Sequence, residues 1–246
     1  AAALAEAVGG VLLPTGSVRV KDAGQVSAMP GFAEGDWWVQ DAAAALPVRV
    51  LAPQEGETIL DLCAAPGGKT MQLAAAGATV TAVDTSASRM GRMRENLERT
   101  GLDAKLLTKD ARAVKGEFDA IVLDAPCSAT GTLRRHPDLP FAKDGSEFGT
   151  LIELQADLLD HAWALLKPGG RMVFCTCSLL PDEGEVQVDE ALERHQDMSV
   201  DQDALALPGV SADWITQEGG LRLRPDFWAD QGGMDGFYIA CLRKAG

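Results

Sequence analysis

From Glu57 to His195 the chain alternates between short apolar runs and amphipathic stretches long enough for helices. Apolar runs at 58–63, 79–83, 105–108, 118–123 and 171–176 predict strands. The stretches 68–76, 86–101, 150–166 and 183–195 between and after them predict helices, the third closed by Lys167-Pro168-Gly169-Gly170. Strands of this kind, apolar throughout and separated by helices, suit a parallel sheet covered on both faces. The segments 221–223 and 236–243 read as two further strands, and 139–149 and 197–220 as the most loop-like parts. Ahead of the alternation, 1–30 reads as short strands and turns punctuated by Gly9-Gly10, Pro14 and Gly16, and 31–51 as a Gly-rich turn followed by an Ala-rich helix. The expected division is an N-terminal extension, 1–50, packing on a larger unit, 51–246.

Charge narrows the class of partner. The 246 residues carry 22 Lys+Arg against 36 Asp+Glu, a formal net charge of −14. That balance opposes nucleic-acid binding by bulk electrostatics, which relies on many phosphate contacts. It leaves room for a local basic surface, because 89–115 holds eight basic and four acidic residues while 182–203 holds one and nine. No apolar stretch is long enough for a membrane span, so no membrane partner is expected. The five cysteines form neither a disulfide framework nor a spaced zinc set, which suits free thiols in a reducing cytoplasm and no metal.

The first strand runs into Cys63-Ala64-Ala65-Pro66-Gly67-Gly68-Lys69-Thr70 and then a helix. In open α/β sheets, ligands bind beyond the carboxyl ends of the strands. A phosphate loop needs Gly, four residues, then Gly-Lys-Ser/Thr, and the position five before Gly68 is Cys63, so that reading fails. Asp84 closes the second strand and is placed to accept hydrogen bonds from ribose hydroxyls. Asp110 follows the third and could take an adenine amino group. Carboxylates stand where phosphates would be repelled, so a nucleoside without phosphates fits, and S-adenosyl-L-methionine is the candidate cofactor.

Two cysteine-bearing segments follow the next strands: Asp124-Ala125-Pro126-Cys127-Ser128 and Cys175-Thr176-Cys177-Ser178. Cysteines at neighbouring strand ends would face one pocket, and a thiolate is the strong nucleophile among common side chains. Cys175, inside its strand, suits a buried packing role, as do Cys63 and Cys241. Cys127 and Cys177 stand at loop junctions, where packing explains less. Arg134, Arg135 and His136 directly follow the Pro-Cys segment as a short basic run.

The segments 60–70, 124–138 and 175–183 resemble the signature motifs of the Sun/RsmB family of RNA cytosine-5 methyltransferases. The resemblance extends from about residue 26 to 246, and includes Trp38-Val39-Gln40-Asp41 and Asp235-Gly236-Phe237-Tyr238. It implies a class I methyltransferase fold with a mostly parallel seven-stranded sheet, and methyl transfer to a cytosine of RNA, most simply small-subunit rRNA. It also implies the roles. Cys177 attacks cytosine C6, Cys127 assists product release, and Asp124 holds the cytosine edge with a raised pKa or a shared proton. Cys63, Ala64, Ala65, Pro66, Gly67, Gly68, Lys69, Asp84, Asp110 and Asp124 line the cofactor site. With an RNA substrate, Arg134, Arg135 and His136 become candidates to clamp phosphates flanking the target base. Many bacterial relatives carry a further N-terminal RNA-binding domain, and with no room for it before Ala1 the expectation is either a catalytic fragment missing that domain or an RNA grip that is unusually local. The rivals are a tRNA-directed enzyme of the same fold and a cofactor-binding ribosome-assembly module without turnover. Oligomeric state is not legible in the sequence.

Overall fold

The computed structural model describes residues 1–142 and 144–246. Lys143, within the 139–149 stretch expected to be loop, lies outside the described residues. The chain begins with α1 (Ala2–Val8) and a two-stranded hairpin, β1 (Val11–Leu12) and β2 (Val18–Arg19). The helix corrects the reading of the first residues as strand and turn: six of its seven residues are Ala, Leu or Glu, all strong helix formers, and Gly9 in the left-handed region ends it. Helix α2 (Leu46–Leu51) follows with Pro47 in its first turn, later than the Ala run suggested, and it spans the expected boundary between residues 50 and 51.

The alternation then unfolds as β3 (Thr58–Leu62), α3 (Gly68–Ala75), β4 (Thr79–Asp84), α4 (Ala87–Thr100), β5 (Lys105–Thr108), β6 (Phe118–Asp124), α5 (Leu139–Ala142), α6 (Phe148–Leu165), β7 (Leu166–Thr176) and α7 (Glu185–Arg194). The tail adds β8 (Met198–Val200), β9 (Leu221–Leu223) and β10 (Phe237–Lys244). Seven strands lie in the order β5-β4-β3-β6-β7-β10-β8, and short β9 pairs with β10 to make eight. The pairs from β5 to β7 are parallel, and β10 is antiparallel to its neighbours. The carboxyl ends of β3 to β7 therefore converge on one edge.

Both faces of the sheet are buried, as continuous apolar strands require. On one face Leu60, Leu62, Ile121, Leu123 and Phe174 pack against Leu158, Leu159 and Trp163 of α6 and Val188 of α7. On the other, Ile59, Val122, Val173 and Ile239 pack with Leu46, Val48 and Leu51 of α2 and Leu73 of α3. Helix α4 shows the local logic: Ser86 caps its start, Gly101 ends it in the left-handed region, and Met90, Met93 and Leu97 are its buried stripe. The Lys167-Pro168-Gly169-Gly170 run, expected as a turn, lies inside β7 as an irregularity in the β6–β7 register. Lys167 holds it there by donating to Asp119 at 2.6 Å. Among the described residues, no helix is long and apolar enough to cross a membrane.

Candidate active site

The edge formed by the carboxyl ends of β3 to β7 carries two adjoining sets of groups. The first surrounds the β3–α3 loop. Cys63 and Gly67 adopt positive φ (58° and 104°), a conformation cheap for glycine and costly for most other residues. The Ala64 N–H donates to Val83 O, and the Ala65 N–H to the Asp84 carboxylate at 3.1 Å. Asp84 also accepts from Ser86 N at 2.8 Å, so this buried carboxylate pins the loop while keeping lone pairs for a ligand. Arg89 closes over the loop by donating to Ala65 O.

Beneath the loop, Asp61 is fully buried in β3 and accepts from the Thr70 hydroxyl at 2.6 Å. Burial pushes its pKa up to about 7. Its other oxygen has no hydrogen-bond partner among the described residues. An orphaned buried acceptor of this kind is rare and calls for an explanation. Burial also pushes the Cys63 thiol up to about 12, consistent with a neutral packing role.

The second set surrounds Cys127 and Cys177, whose sulfurs are 3.5 Å apart. The loop after β6 is stitched to β7 and β10 by backbone bonds: Ala125 N to Cys175 O, Gly131 N to Cys177 O, and Gly236 N to Gly131 O, all 2.8–2.9 Å. A Cβ on Gly131 would stand 2.0 Å from Gly236 O, so only glycine permits this approach. The hydrogen bond from Cys127 pulls the Cys177 pKa below the usual thiol value, with the Lys69 ammonium acting in the same sense. That same bond, together with burial, holds Cys127 well above it. The pair thus favours a thiolate on Cys177 and a thiol on Cys127. Burial raises Cys175 as well, and its thiol donates to Asp124 at 3.5 Å.

Lys69 joins the two sets. Its ammonium is 2.8 Å from Asp124 and 5.3 Å above the Phe237 ring. Burial penalises that charge, but Asp124 beside it outweighs the penalty and holds the lysine pKa above its ordinary value. A lysine so engaged is not a free phosphate ligand, which agrees with the failed phosphate-loop reading.

The expectations for the flanking residues change. Asp110 stands at the end of β5 but is exposed, caps the following turn through Arg112 N and forks with the Arg112 guanidinium at 2.8 and 3.1 Å. Hydrogen bonds from Arg112 hold its pKa down at about 2. Its carboxylate is thus already engaged on the rim. Arg134 and Arg135 do not project as free cations. Arg135 forks onto Asp235, and Arg134 reaches Asp41 at 2.9 Å and Asp235 at 3.6 Å. Both carboxylates are largely buried, and a buried carboxylate without a counter-charge is costly, so these arginines secure the Pro-Cys loop rather than stand ready for phosphates. His136 is exposed beside them.

Sequence reasoning missed a buried cluster behind the two cysteines. Glu183, 0% exposed, accepts from Ser128 N and Gln155 Nε2 on one oxygen, at 2.9 and 3.1 Å, and from the Ser128 hydroxyl on the other. Its carbonyl accepts from Thr176 Oγ1 at 2.8 Å. Ser178 links the same cluster to Ser128 and Thr130. Glu183 fell within a resembling segment, but nothing in the sequence distinguished it from the acidic run that follows.

The sequence matches the family described as 16S rRNA methyltransferase RsmB/F over residues 48–243. It is 44% identical over 235 residues to the ribosomal RNA small subunit methyltransferase B of Cronobacter sakazakii, covering 93% of this chain and 52% of that protein. Among solved structures, a methyltransferase homolog protein from Pyrococcus horikoshii is 32% identical with a TM-score of 0.72, covering 89% of this chain and 72% of that one. NSun6 from Pyrococcus horikoshii, solved with SFG, is 29% identical with a TM-score of 0.74, covering 89% and 56%. The chain spans about half the length of the curated relatives it matches.

Proposed function

Since the chain belongs to the 16S rRNA methyltransferase RsmB/F family and has its class I methyltransferase fold, we propose that it methylates C5 of a cytosine in small-subunit rRNA, using S-adenosyl-L-methionine. The observation that carries this reading is the 3.5 Å contact between Cys127 and Cys177 beside the Lys69–Asp124 pair and the β3–α3 loop. Cofactor binding alone would need no second thiol.

The residues present fit the cofactor, which supplies an electrophilic methyl group when bound. The 63–69 loop offers small residues and glycines for close approach. Asp84 has lone pairs for ribose hydroxyls, and the orphaned Asp61 oxygen suits a donor such as an ammonium or an ordered water. Asp110 could contribute from the next strand end only by releasing Arg112. SFG, bound in the archaeal NSun6 structure, is an analogue of this cofactor.

Cytosine C5 is a poor nucleophile, and the cysteine pair answers that problem. Cys177, favoured as thiolate, adds to C6 and makes C5 enamine-like. Asp124 holds the cytosine edge, and the Lys69 ammonium hydrogen-bonded to its carboxylate offsets that negative charge. After methyl transfer, the C5 proton passes to a solvent base, its bonding pair re-forms the C5–C6 double bond, and the C6–S pair leaves with the Cys177 sulfur. The Cys127 thiol, in contact with the departing sulfur, stabilises it by a hydrogen bond. Reaching C5 requires a base out of its stack, in a single strand or flipped from a helix. His136, exposed beside the Pro-Cys loop, remains the candidate of its segment for RNA contact, while Arg134 and Arg135 contribute by fixing that loop. The segment 1–50 acts as an extension on the catalytic unit, tied to it by Gln40–Gln72 at 2.9 Å and Arg134–Asp41.

The test is methyl transfer from labelled S-adenosylmethionine to deproteinised small-subunit rRNA, followed by nucleoside analysis. Labelled 5-methylcytosine in that rRNA is the expected result. Label confined to tRNA would reassign the substrate. Cofactor binding with no transfer to rRNA, tRNA or assembled subunits would overturn the enzymatic reading.

A further inference from the structure

The two sulfurs belong to loops that leave different strands, 50 residues apart in sequence. Gly131 N to Cys177 O, at 2.9 Å, ties the two loops through the backbone, but on the Pro-Cys side that tie is four residues from Cys127. Between them and the core lies Glu183, wholly buried, with no cationic partner among its hydrogen bonds. Its partners are all next to the chemistry. Ser128, adjacent to Cys127, gives it both an N–H and a hydroxyl. Gln155 of α6 donates at once to Glu183 and to Pro126 O, on the other side of Cys127. Thr176, adjacent to Cys177, donates to the Glu183 carbonyl. Ser178, on the far side of Cys177, contacts Ser128 at 3.2 Å. Every immediate neighbour of both cysteines is therefore held, directly or through one side chain, by one residue.

Burying a carboxylate among neutral donors is expensive, and a fold without a use for it could fill the site with an apolar side chain. We propose that Glu183 is a positioning residue for the two-cysteine reaction, tying the residues on either side of Cys127 and Cys177 into one buried assembly that holds the two sulfurs in contact. The inference rests on the functional reading above for its catalytic meaning, but the positioning itself is testable without RNA.

The experiment compares wild type, Glu183→Ala and Glu183→Gln in two arms, with cofactor affinity as the control for folding. In the first arm, a diazenedicarboxamide oxidant takes two electrons and two protons from the Cys127 and Cys177 thiols. It becomes the hydrazine and leaves a disulfide, whose rate of formation reads how well the sulfurs are juxtaposed. In the second arm, kcat and KM for methyl transfer to rRNA are measured.

Glu183→Ala should slow disulfide formation by about tenfold and lower kcat by about a hundredfold, with cofactor affinity unchanged, because small misplacements of reacting groups have large effects. Glu183→Gln can keep one oxygen for Ser128 N and Gln155 while its amide faces the Ser128 hydroxyl, which turns to accept. It should recover both rates to within about fivefold of wild type. A Glu183→Ala protein that binds cofactor and forms the disulfide at the wild-type rate overturns the proposal. So does a Glu183→Gln protein no better than Glu183→Ala. If Glu183→Ala does not fold, Ser128→Ala replaces it. It removes only the hydroxyl contact and should slow disulfide formation severalfold, and an unchanged rate overturns the proposal. If the wild type methylates no RNA, the functional reading fails while the oxidant arm still decides the positioning claim.

Discussion

The cofactor-side and cysteine-side halves of the site are built by different means. Around the β3–α3 loop the stabilising contacts are close in sequence: Asp61 to Thr70, nine residues apart, and Ala65 to Asp84, nineteen. Glycine conformations and backbone donors do most of the shaping. Around the cysteines the contacts span much longer separations: Ser128 to Glu183, 55, Arg134 to Asp41, 93, and Arg135 to Asp235, 100. Local contacts preserve a binding loop through small motions, whereas long-range side-chain ties lock reacting atoms to the whole fold. Damage to the first half should therefore be read in cofactor affinity, and damage to the second in covalent chemistry.

The largest expected effect tests the buried acid of the cofactor half. Asp61 has its pKa raised by burial to about 7, so the folded protein holds a proton that the unfolded chain has already lost. Stability contributed by the protonated form is thus lost as pH rises from about 4 to 7, by up to about 4 kcal/mol. Asp61→Asn should therefore be more stable than wild type without cofactor at pH 8, and the difference should vanish towards pH 4. Chemical denaturation across that range checks it, and a difference independent of pH would contradict it.

The cysteine half is next. Gly131→Ala forces a Cβ against the Gly236 carbonyl and should cost about 3 kcal/mol. It should also abolish methyl transfer while leaving cofactor affinity within a few-fold, as calorimetry and turnover measured side by side would show. Arg135→Ala leaves buried Asp235 with Arg134 as its remaining counter-charge, at 3.6 Å. A loss of about 2 kcal/mol in denaturant unfolding is expected, discounted because the guanidinium is itself half-exposed. If Arg135 were instead a phosphate ligand, the variant would keep its stability and lose RNA affinity with a shallower salt dependence.

The smallest effect sharpens the contrast from the other side. Gly67→Ala places a methyl at φ +104° and 2.6 Å from Met93 Cγ, an adaptable side chain. It should cost about 1–2 kcal/mol and weaken cofactor binding without altering disulfide formation between the cysteines. Equal loss in both readouts would erase the distinction between the halves.

This division also explains what could be read from the sequence. The strands of the alternation and the loop at Gly67 follow from periodicity and local residue chemistry, and the structure places the strand ends within a residue of the expected positions, except that β7 starts five residues early, at Leu166. The approach of Cys127 to Cys177 was legible only as two strand ends facing one pocket. The ties that fix it were not, because an arginine seeking a buried aspartate a hundred residues away looks the same as one awaiting a phosphate. Glu183 was invisible for a related reason: its burial depends on how α6 and the segment before α7 pack. Helix α1 and strand β8 escaped because they are short, and short elements carry little periodic signal.

The most direct measurement is covalent capture of RNA containing 5-fluorocytosine, in the presence of S-adenosylmethionine, by wild type, Cys177→Ala and Cys127→Ala. If Cys177 is the nucleophile and Cys127 the group that assists release, the adduct disappears in Cys177→Ala and persists in Cys127→Ala. Adduct lost in Cys127→Ala and retained in Cys177→Ala would contradict that assignment and reverse the roles of the two thiols.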